Sequence, residues 1–351
     1  VVTPKTSAAR EGEEPDDDEE APAEAAPDAP AAGPLELLVP ATLGGLRLDR
    51  VLAELVPDRS RASLQRHIEE DAVTMDGALP KRGAKTVVPA GARLVYRPPP
   101  PAPLLLEPED IPLTILFEDE HLLAIDKPAG LVVHPGHGHR SGTLVNAVLH
   151  HVRQLERAPG DLRPGIVHRL DQDTTGVMVV AKHPRAHERL STAFAERRVE
   201  KRYLAMVRGA PRPGSDTIDT AFGRHPHDRK RFSSRVQDGK RAVTHYEVLE
   251  FFPGAAWVQI ALETGRTHQI RVHFADRGHP LVGDETYGRK ASVVDPGNGR
   301  VLATLPRPAL HARRLSVPHP ETGAMLTFEA PVPADLVALR ERLLAARATP
   351  R

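Results

Sequence analysis

The sequence predicts an α+β protein with two folded parts behind an acidic tail. Three observations point there. Residues 1–34 hold almost no large apolar side chains, residues 47–97 combine two amphipathic helices with two short strands, and beyond residue 107 apolar strand candidates follow one another without regular βαβ alternation. At 351 residues the chain can build one large core and one small one.

Residues 1–33 place ten acids against Lys5 and Arg10, a net charge of −8. Because the whole chain balances 47 basic against 47 acidic side chains, residues 34–351 carry +8. Too few apolar groups are available in the tail to offset the entropy of ordering it, so residues 1–34 are expected to be disordered. The basic remainder favours a polyanionic partner.

Leu48, Val51, Leu52 and Leu55 fall on one helical face. After Pro57-Asp58, Ser60 is placed to cap a second helix that turns Leu64 and Ile68 inward and gathers Arg59, Arg61 and Arg66 at its start and exposed side. Ala72–Met75 and Arg93–Tyr96 read as strands, linked through Asp76-Gly77 and a loop bearing Lys81, Arg82 and Lys85. The run RLDRVLAELVPDRSRASLQRHIEEDAVTMDG, with Gly91-Ala92-Arg93 before the last strand, resembles the S4 RNA-binding domain over residues 47–97. It departs at Asp71, where that domain usually has glycine, and at Asp76, where it has asparagine. The resemblance implies a small α/β unit that contacts RNA through Arg59, Arg61, Arg66, Lys81 and Arg82.

Residues 98–106 form a proline-rich linker, whose PPPPAP run favours polyproline II at about 3.1 Å per residue. The larger domain, residues 107–340, offers strands at Leu113–Phe117, Leu122–Ile125, Leu131–Val133, Val177–Ala181, Tyr203–Val207, Thr244–Leu249, Trp257–Leu262 and Met325–Glu329, and a helix at Ala186–Arg197.

Polar chemistry concentrates in two places. His168-Arg169-Leu170-Asp171-Gln172-Asp173-Thr174-Thr175 precedes an apolar strand, the setting of a loop held over a sheet. Thr264-Gly265-Arg266-Thr267-His268-Gln269-Ile270-Arg271 follows another strand and opens a helix on which His268 and Arg271 share a face. Lys201-Arg202-Tyr203 starts a further strand. By spacing alone, Arg169 with Asp171 reads as an ordinary ion pair and Tyr203 as packing.

Together these segments strongly resemble the pseudouridine synthases, in the RluD-like branch of the RluA family that acts on large-subunit ribosomal RNA. The matching runs are DKPAGLVVHPG (126–136), HRLDQDTTGVMVVAK (168–182), KRYLAMVRG (201–209), TGRTHQIRVH (264–273), HPLVGDETYG (279–288) and ALHARRL (309–315). The resemblance implies a mixed, largely antiparallel sheet with a cleft, and Asp171 as the essential catalytic carboxylate. The family's active-site tyrosine falls on Tyr203, and the basic partner of the aspartate on Arg271. His168, Arg169, Arg266 and His268 are candidates for RNA contact. The reaction breaks N1–C1′, turns the uracil and joins C5 to C1′, so it needs no cofactor. The expected partner is large-subunit ribosomal RNA or a pre-ribosomal particle.

Several classes are disfavoured. Without cysteine there is no disulfide scaffold, thiolate zinc site or cysteine nucleophile, as suits a cytoplasmic protein. No run approaches the roughly 20 apolar residues of a bilayer span. His134, His137 and His139 lie in a glycine-rich loop with no H-E-x-x-H, so no metal is expected. Ser141 stands where a dinucleotide fingerprint needs its third glycine, and no Walker A motif occurs, so no nucleotide cofactor is expected. Asp171-Gln172-Asp173-Thr174-Thr175 fits the D-x-D-x-T of magnesium-dependent phosphatases, but there the apolar strand precedes the motif and here it follows. A noncatalytic RNA-binding assembly factor is the other alternative, against which the set Asp171, Tyr203 and Arg271 argues.

Overall fold

The computed structural model describes residues 34–57, 59, 61–98, 106–136, 139, 141–152, 155, 163–228, 231–288, 292–294 and 301–348. The acidic tail, Asp58, Ser60, most of the proline-rich linker and His137 lie outside the described residues. The chain divides into two compact units, with the break between residues 104 and 105.

The smaller unit is β1 (Leu35–Leu38), α1 (Leu48–Leu55), α2 (Arg61–Glu69), β2 (Val73–Met75) and β3 (Arg93–Tyr96). Its antiparallel sheet has the order β1-β3-β2. Leu48, Val51 and Leu52 of α1 meet Leu64 and Ile68 of α2 over Val73, Leu94 and Tyr96, all buried. The chain leaves β2 through Asp76 (φ +49°) and Gly77 (φ +81°), with Met75 and Ala78 exchanging both backbone hydrogen bonds. Two successive left-handed residues make the tight turn that matches strand twist. Aspartate tolerates that region, as also at Asp71 (φ +58°), so the two departures from the S4 pattern are accommodated. Asp76 further accepts a hydrogen bond from the Arg93 amide at 2.9 Å.

A buried carboxylate ties α1 to α2. Asp49 accepts from Arg47 (3.0 Å), Arg61 (2.6 Å) and Gln65 (2.6 Å). Burial alone would raise its pKa, but those bonds hold it down at about 2. Arg61 is therefore committed in part to this ion pair, although half of its side chain stays exposed. Arg66, Lys81 and Arg82 are exposed, and Arg59 lies 5.8 Å over the Tyr96 ring.

The larger unit runs β4 (Thr114–Glu118), β5 (Leu122–Lys127), α3 (Leu144–His151), β6 (Thr175–Ala181), α4 (Pro184–Ala195), β7 (Glu200–Arg208), β8 (Ser215–Arg224), β9 (Phe232–Ser233), β10 (Lys240–Phe252), β11 (Ala255–Leu262), α5 (Gln269–Asp276), β12 (Val293–Val294), β13 (Val301–Ala303), β14 (Leu310–Pro318), β15 (Met325–Glu329) and α6 (Ala334–Ala348). Ten of these strands form one sheet in the order β4-β5-β6-β14-β7-β11-β10-β8-β9, with β15 beside β14. Every pairing in it is antiparallel except β6 with β14.

Strand alternation sorts the side chains onto two covered faces. Ile125, Met178 and Val180 meet α3, whereas Ala124, Val179 and Ala181 meet α4. On the other half of the sheet, Ala205, Val258 and Ile260 meet Ile270 and Phe274 of α5, and Met206 and Trp257 meet α6. Tyr203 packs against both the α3 cluster and the α5 cluster, so these two helices share a face and meet at that residue.

Leu131–Val133, read from sequence as a strand, is irregular. It feeds the start of α3, where the amides of Leu144 and Val145 donate to the carbonyls of Val132 and Val133. The helix expected at Ala186–Arg197 begins earlier, at Pro184, because His183 accepts from the Ala186 amide as its cap, and it stops before Arg197 (φ +57°).

Removing the Asp49 carboxylate leaves two arginines without their common anion. Asp49→Ala is expected to cost about 3 kcal/mol of the smaller unit's stability. Faster hydrogen exchange confined to residues 48–96 of the full chain would report it; unchanged protection there would contradict the role given to this carboxylate.

Candidate active site

The loop before β6 is shaped by a turn at Asp171–Thr174, closed by the Thr174 amide donating to the Asp171 carbonyl at 3.0 Å. Buried cations grip the next two carbonyls. Lys127, fully buried at the end of β5, donates to the carbonyls of Gln172 (2.8 Å), Pro128 (2.9 Å) and Leu131 (2.9 Å). Arg307 donates to the carbonyl of Asp173 (3.2 Å) while its other nitrogens pair with Asp335 at the start of α6. Burial pushes the Lys127 pKa down to about 8, against the charges of Asp171 and Asp173. Three carbonyls use all three N–H bonds of the ammonium form, which favours keeping it charged. Where the loop joins β6, Gly176 (φ +116°) runs beside β14, and a Cβ there would come within 2.2 Å of the Ala312 carbonyl oxygen.

Into this frame α5 brings Arg271. Its Nη1 donates to Asp171 Oδ2 at 3.2 Å, while Nε and Nη2 donate to the two oxygens of Asp284 at 2.8 and 3.0 Å. Asp284 is fully buried and also accepts from the amides of Thr286 and Tyr287 at 3.1 Å. The result is a line of alternating charge, Asp171–Arg271–Asp284. Burial opposes charge on Arg271, but the hydrogen bond to Asp284 and the two anions raise its pKa. Burial likewise opposes charge on Asp171, and His268, Arg271 and Arg169 outweigh it, so the carboxyl sits below its ordinary value of 3.8.

Tyr203, on β7, faces the same space. Burial raises its phenol pKa and the charge on Asp171 adds to the rise, so it stays protonated. Among the described residues its hydroxyl makes no hydrogen bond.

His268 does not share a helix face with Arg271, as the sequence led one to expect. It occupies the residue before α5 in the left-handed region (φ +60°), from which Nε2 reaches to 3.9 Å from Asp171 Oδ2. Its loop is fixed by Gln269, which accepts from Thr264 (2.8 Å) and the Arg266 amide (3.0 Å) and donates to Val243 and Thr244 of β10. Arg266 turns back toward the Arg241 carbonyl at 3.4 Å. Arg169 lies close enough to Asp171 to stabilise its charge.

His168 is tied into the fold. Its Nε2 accepts the Val179 amide at 3.0 Å, its ring stacks on Phe194 at 4.6 Å, and burial lowers its pKa to about 3. A neutral ring with one nitrogen and one face already used anchors the loop to β6. Asp284, Lys127 and Arg307 were singled out by no sequence reading; the only signals were the matching runs that contain the first two.

The apolar strand β6 begins at Thr175, the last residue of Asp171-x-Asp173-x-Thr175, so it follows the motif's aspartates, the reverse of the phosphatase order. Among the described residues no cluster of three or more histidine, aspartate or glutamate side chains is placed to hold a metal ion, and no helix is long and apolar enough to cross a membrane.

A family model for RNA pseudouridylate synthase matches residues 121–276, a span that takes in Asp171, Tyr203 and Arg271. The sequence is 46% identical over 325 residues to ribosomal large subunit pseudouridine synthase D of Nitrosomonas europaea, covering 91% of this chain and 92% of that protein. The chain belongs to the RNA pseudouridine synthase family. The enzyme of the same description from Pseudomonas aeruginosa is also 46% identical, over 85% of this synthase and 92% of its own length. Among solved structures, human RNA pseudouridylate synthase domain containing 1 is 28% identical with a TM-score of 0.51, over 70% of this synthase and 99% of that chain. Human RNA pseudouridylate synthase domain containing 4 is 27% identical with a TM-score of 0.50, over 66% and 93%.

If Lys127 holds the loop through three carbonyls, Lys127→Met takes the ammonium from all three, and among the described residues only that of Gln172 keeps another donor, the Gly130 amide. A loss of about 3 kcal/mol in urea denaturation is expected, and a midpoint equal to the parent's would show that the ammonium is dispensable.

Proposed function

We propose that this synthase isomerises specific uridines of large-subunit ribosomal RNA to pseudouridine, with Asp171 as its essential carboxylate. The observation that carries the reading is the Asp171 carboxylate itself, kept ionised beside Arg271 and facing Tyr203, in a member of the RNA pseudouridine synthase family. Relatives described as acting on the ribosomal large subunit support the substrate class.

Arg271 and His268 both address Oδ2, so Oδ1 is the oxygen turned to the nucleoside. Such a carboxylate can attack the sugar or the base, or take a sugar proton, while the detached uracil turns. The uridine must first leave its stack, at a cost of a few kcal/mol. Stacking on the Tyr203 ring would return about 1 to 3 kcal/mol, and its phenol is placed to help remove the C5 proton. Arg169 and Arg266 would hold the surrounding phosphates or bases, and no metal or nucleotide cofactor takes part.

In this reading the smaller unit is an S4 domain that holds the RNA electrostatically through Arg59, Arg66, Lys81 and Arg82, with Arg61 contributing only its exposed half. The domains are residues 47–97 and 107–340, joined by the 98–106 linker, and the protein works in the cytoplasm on ribosomal RNA or a pre-ribosomal particle.

Asp171→Asn should reduce single-turnover pseudouridine formation below detection while RNA binding persists, and pseudouridine maps of RNA from cells with and without the gene should differ at its target sites. An Asp171→Asn protein that turns over at the parent's rate removes the proposal. Tyr203→Phe keeps the ring and should lower the rate roughly tenfold or more, with binding unchanged. The pH dependence follows from the sign of the Asp171 shift. Because the pKa lies below 3.8, the carboxylate stays ionised as pH falls from neutrality toward that value, and the single-turnover rate should be flat between about pH 5 and pH 8. A steep loss centred near pH 6 would show that Asp171 is not held in its charged form.

A further inference from the structure

Tyr287 lies beside the charge line without belonging to it. It is buried, its phenol pKa is pushed up to about 12 by burial, and its ring faces the guanidinium of Arg271 at 5.2 Å and that of Arg231 at 5.1 Å. Its oxygen accepts the Phe232 amide at 3.1 Å and lies 2.8 Å from Nδ1 of His268. The Phe232 amide can only donate, so the phenol's own proton needs another acceptor. Were His268 to carry its proton on Nδ1, that buried O–H would have no partner among the described residues, at the cost of an unsatisfied donor. With Nδ1 bare, the O–H is satisfied and the imidazole proton sits on Nε2, which faces Asp171 Oδ2 at 3.9 Å. The opposite tautomer would aim a lone pair at the carboxylate. Both ends of the ring therefore select the same form.

We propose that Tyr287 is a positioning residue that acts through His268: its hydroxyl fixes the neutral Nε2–H tautomer and so keeps an N–H dipole, rather than a lone pair, directed at Asp171 Oδ2. This deepens the assignment of Asp171 as the essential carboxylate and rests on it. Arg271 then holds Oδ2 from one side and His268 N–H approaches it from another, so the acid keeps one orientation while Oδ1 meets the nucleoside. Protonating His268 would put a hydrogen on the bare Nδ1, against the tyrosine O–H, and this disfavours the imidazolium. The groups facing His268 act in both senses: Asp171 and Asp284 favour its protonation, Arg271 and Arg169 oppose it, and burial opposes it most.

The tautomer can be read directly by long-range ¹⁵N–¹H correlation on histidine-labelled protein. The His268 signal among the 18 histidines is assigned as the one lost in His268→Gln. The expected result is Nε2–H, unchanged between about pH 6 and pH 8. In Tyr287→Phe the ring is retained and the lock removed. His268 should then titrate at a higher pH than in the parent, and kcat should fall about tenfold with an acid limb displaced upward accordingly, at unchanged KM for RNA. His268→Gln, whose amide offers an N–H without titrating, should abolish that limb when combined with Tyr287→Phe, an outcome that lost packing would not produce. An Nδ1–H signal in the parent, or a Tyr287→Phe pH profile as flat as the parent's, would overturn the proposal. Asp171→Asn measured alongside separates the two readings: activity surviving there removes the assignment of Asp171, while the spectrum still reports whether the tautomer lock exists.

Discussion

The structure depends most on the bond between Asp171 and Arg271, a carboxylate and a guanidinium held together where water is largely excluded. Such a pair is costly to bury, and attraction between the two charges alone does not secure it. Asp284 makes the difference. By taking two of the guanidinium's donors and two backbone amides of its own turn, it leaves one edge of Arg271 to approach Asp171 in a single direction. The pair is thus oriented by Asp284 and the backbone amides of its turn.

The sheet is what brings these groups together. Asp171 precedes β6, Tyr203 lies on β7 and Arg271 on α5, which covers β7 and β11. Between β6 and β7 runs β14, parallel to the first and antiparallel to the second. The site therefore sits where the two halves of one face join, and the parallel contact at Gly176 sets the distance between them.

What was legible in the sequence follows from range. The α1 periodicity, the Asp76-Gly77 turn and the alternation of Val258, Ile260 and Leu262 are local, and each element formed where those patterns placed it. Leu131–Val133 misled because three apolar residues before a helix look the same as a short strand. β14 escaped notice because Arg313 and Arg314 interrupt its apolar run, although antiparallel partners on both sides complete it. Within the site, Asp171, Tyr203 and Arg271 stand in runs that resemble a known family. Beyond the matching run that contains Lys127, neither it nor Arg307 stood out, since the loop carbonyls they hold are 45 and 134 residues away and carbonyls leave no trace in a sequence. The structural bond of His168 was hidden for a related reason, since its partner is a backbone amide on the adjoining strand.

The grip of Lys127 and Arg307 on consecutive peptide oxygens has a mechanical consequence. For the acid to advance toward its target, two buried cations would have to release the peptide oxygens they hold. That is a far larger penalty than unstacking one base. With Asp171 acting as proposed, the protein half of the encounter is the stationary half, and geometric adaptation falls to the nucleic acid.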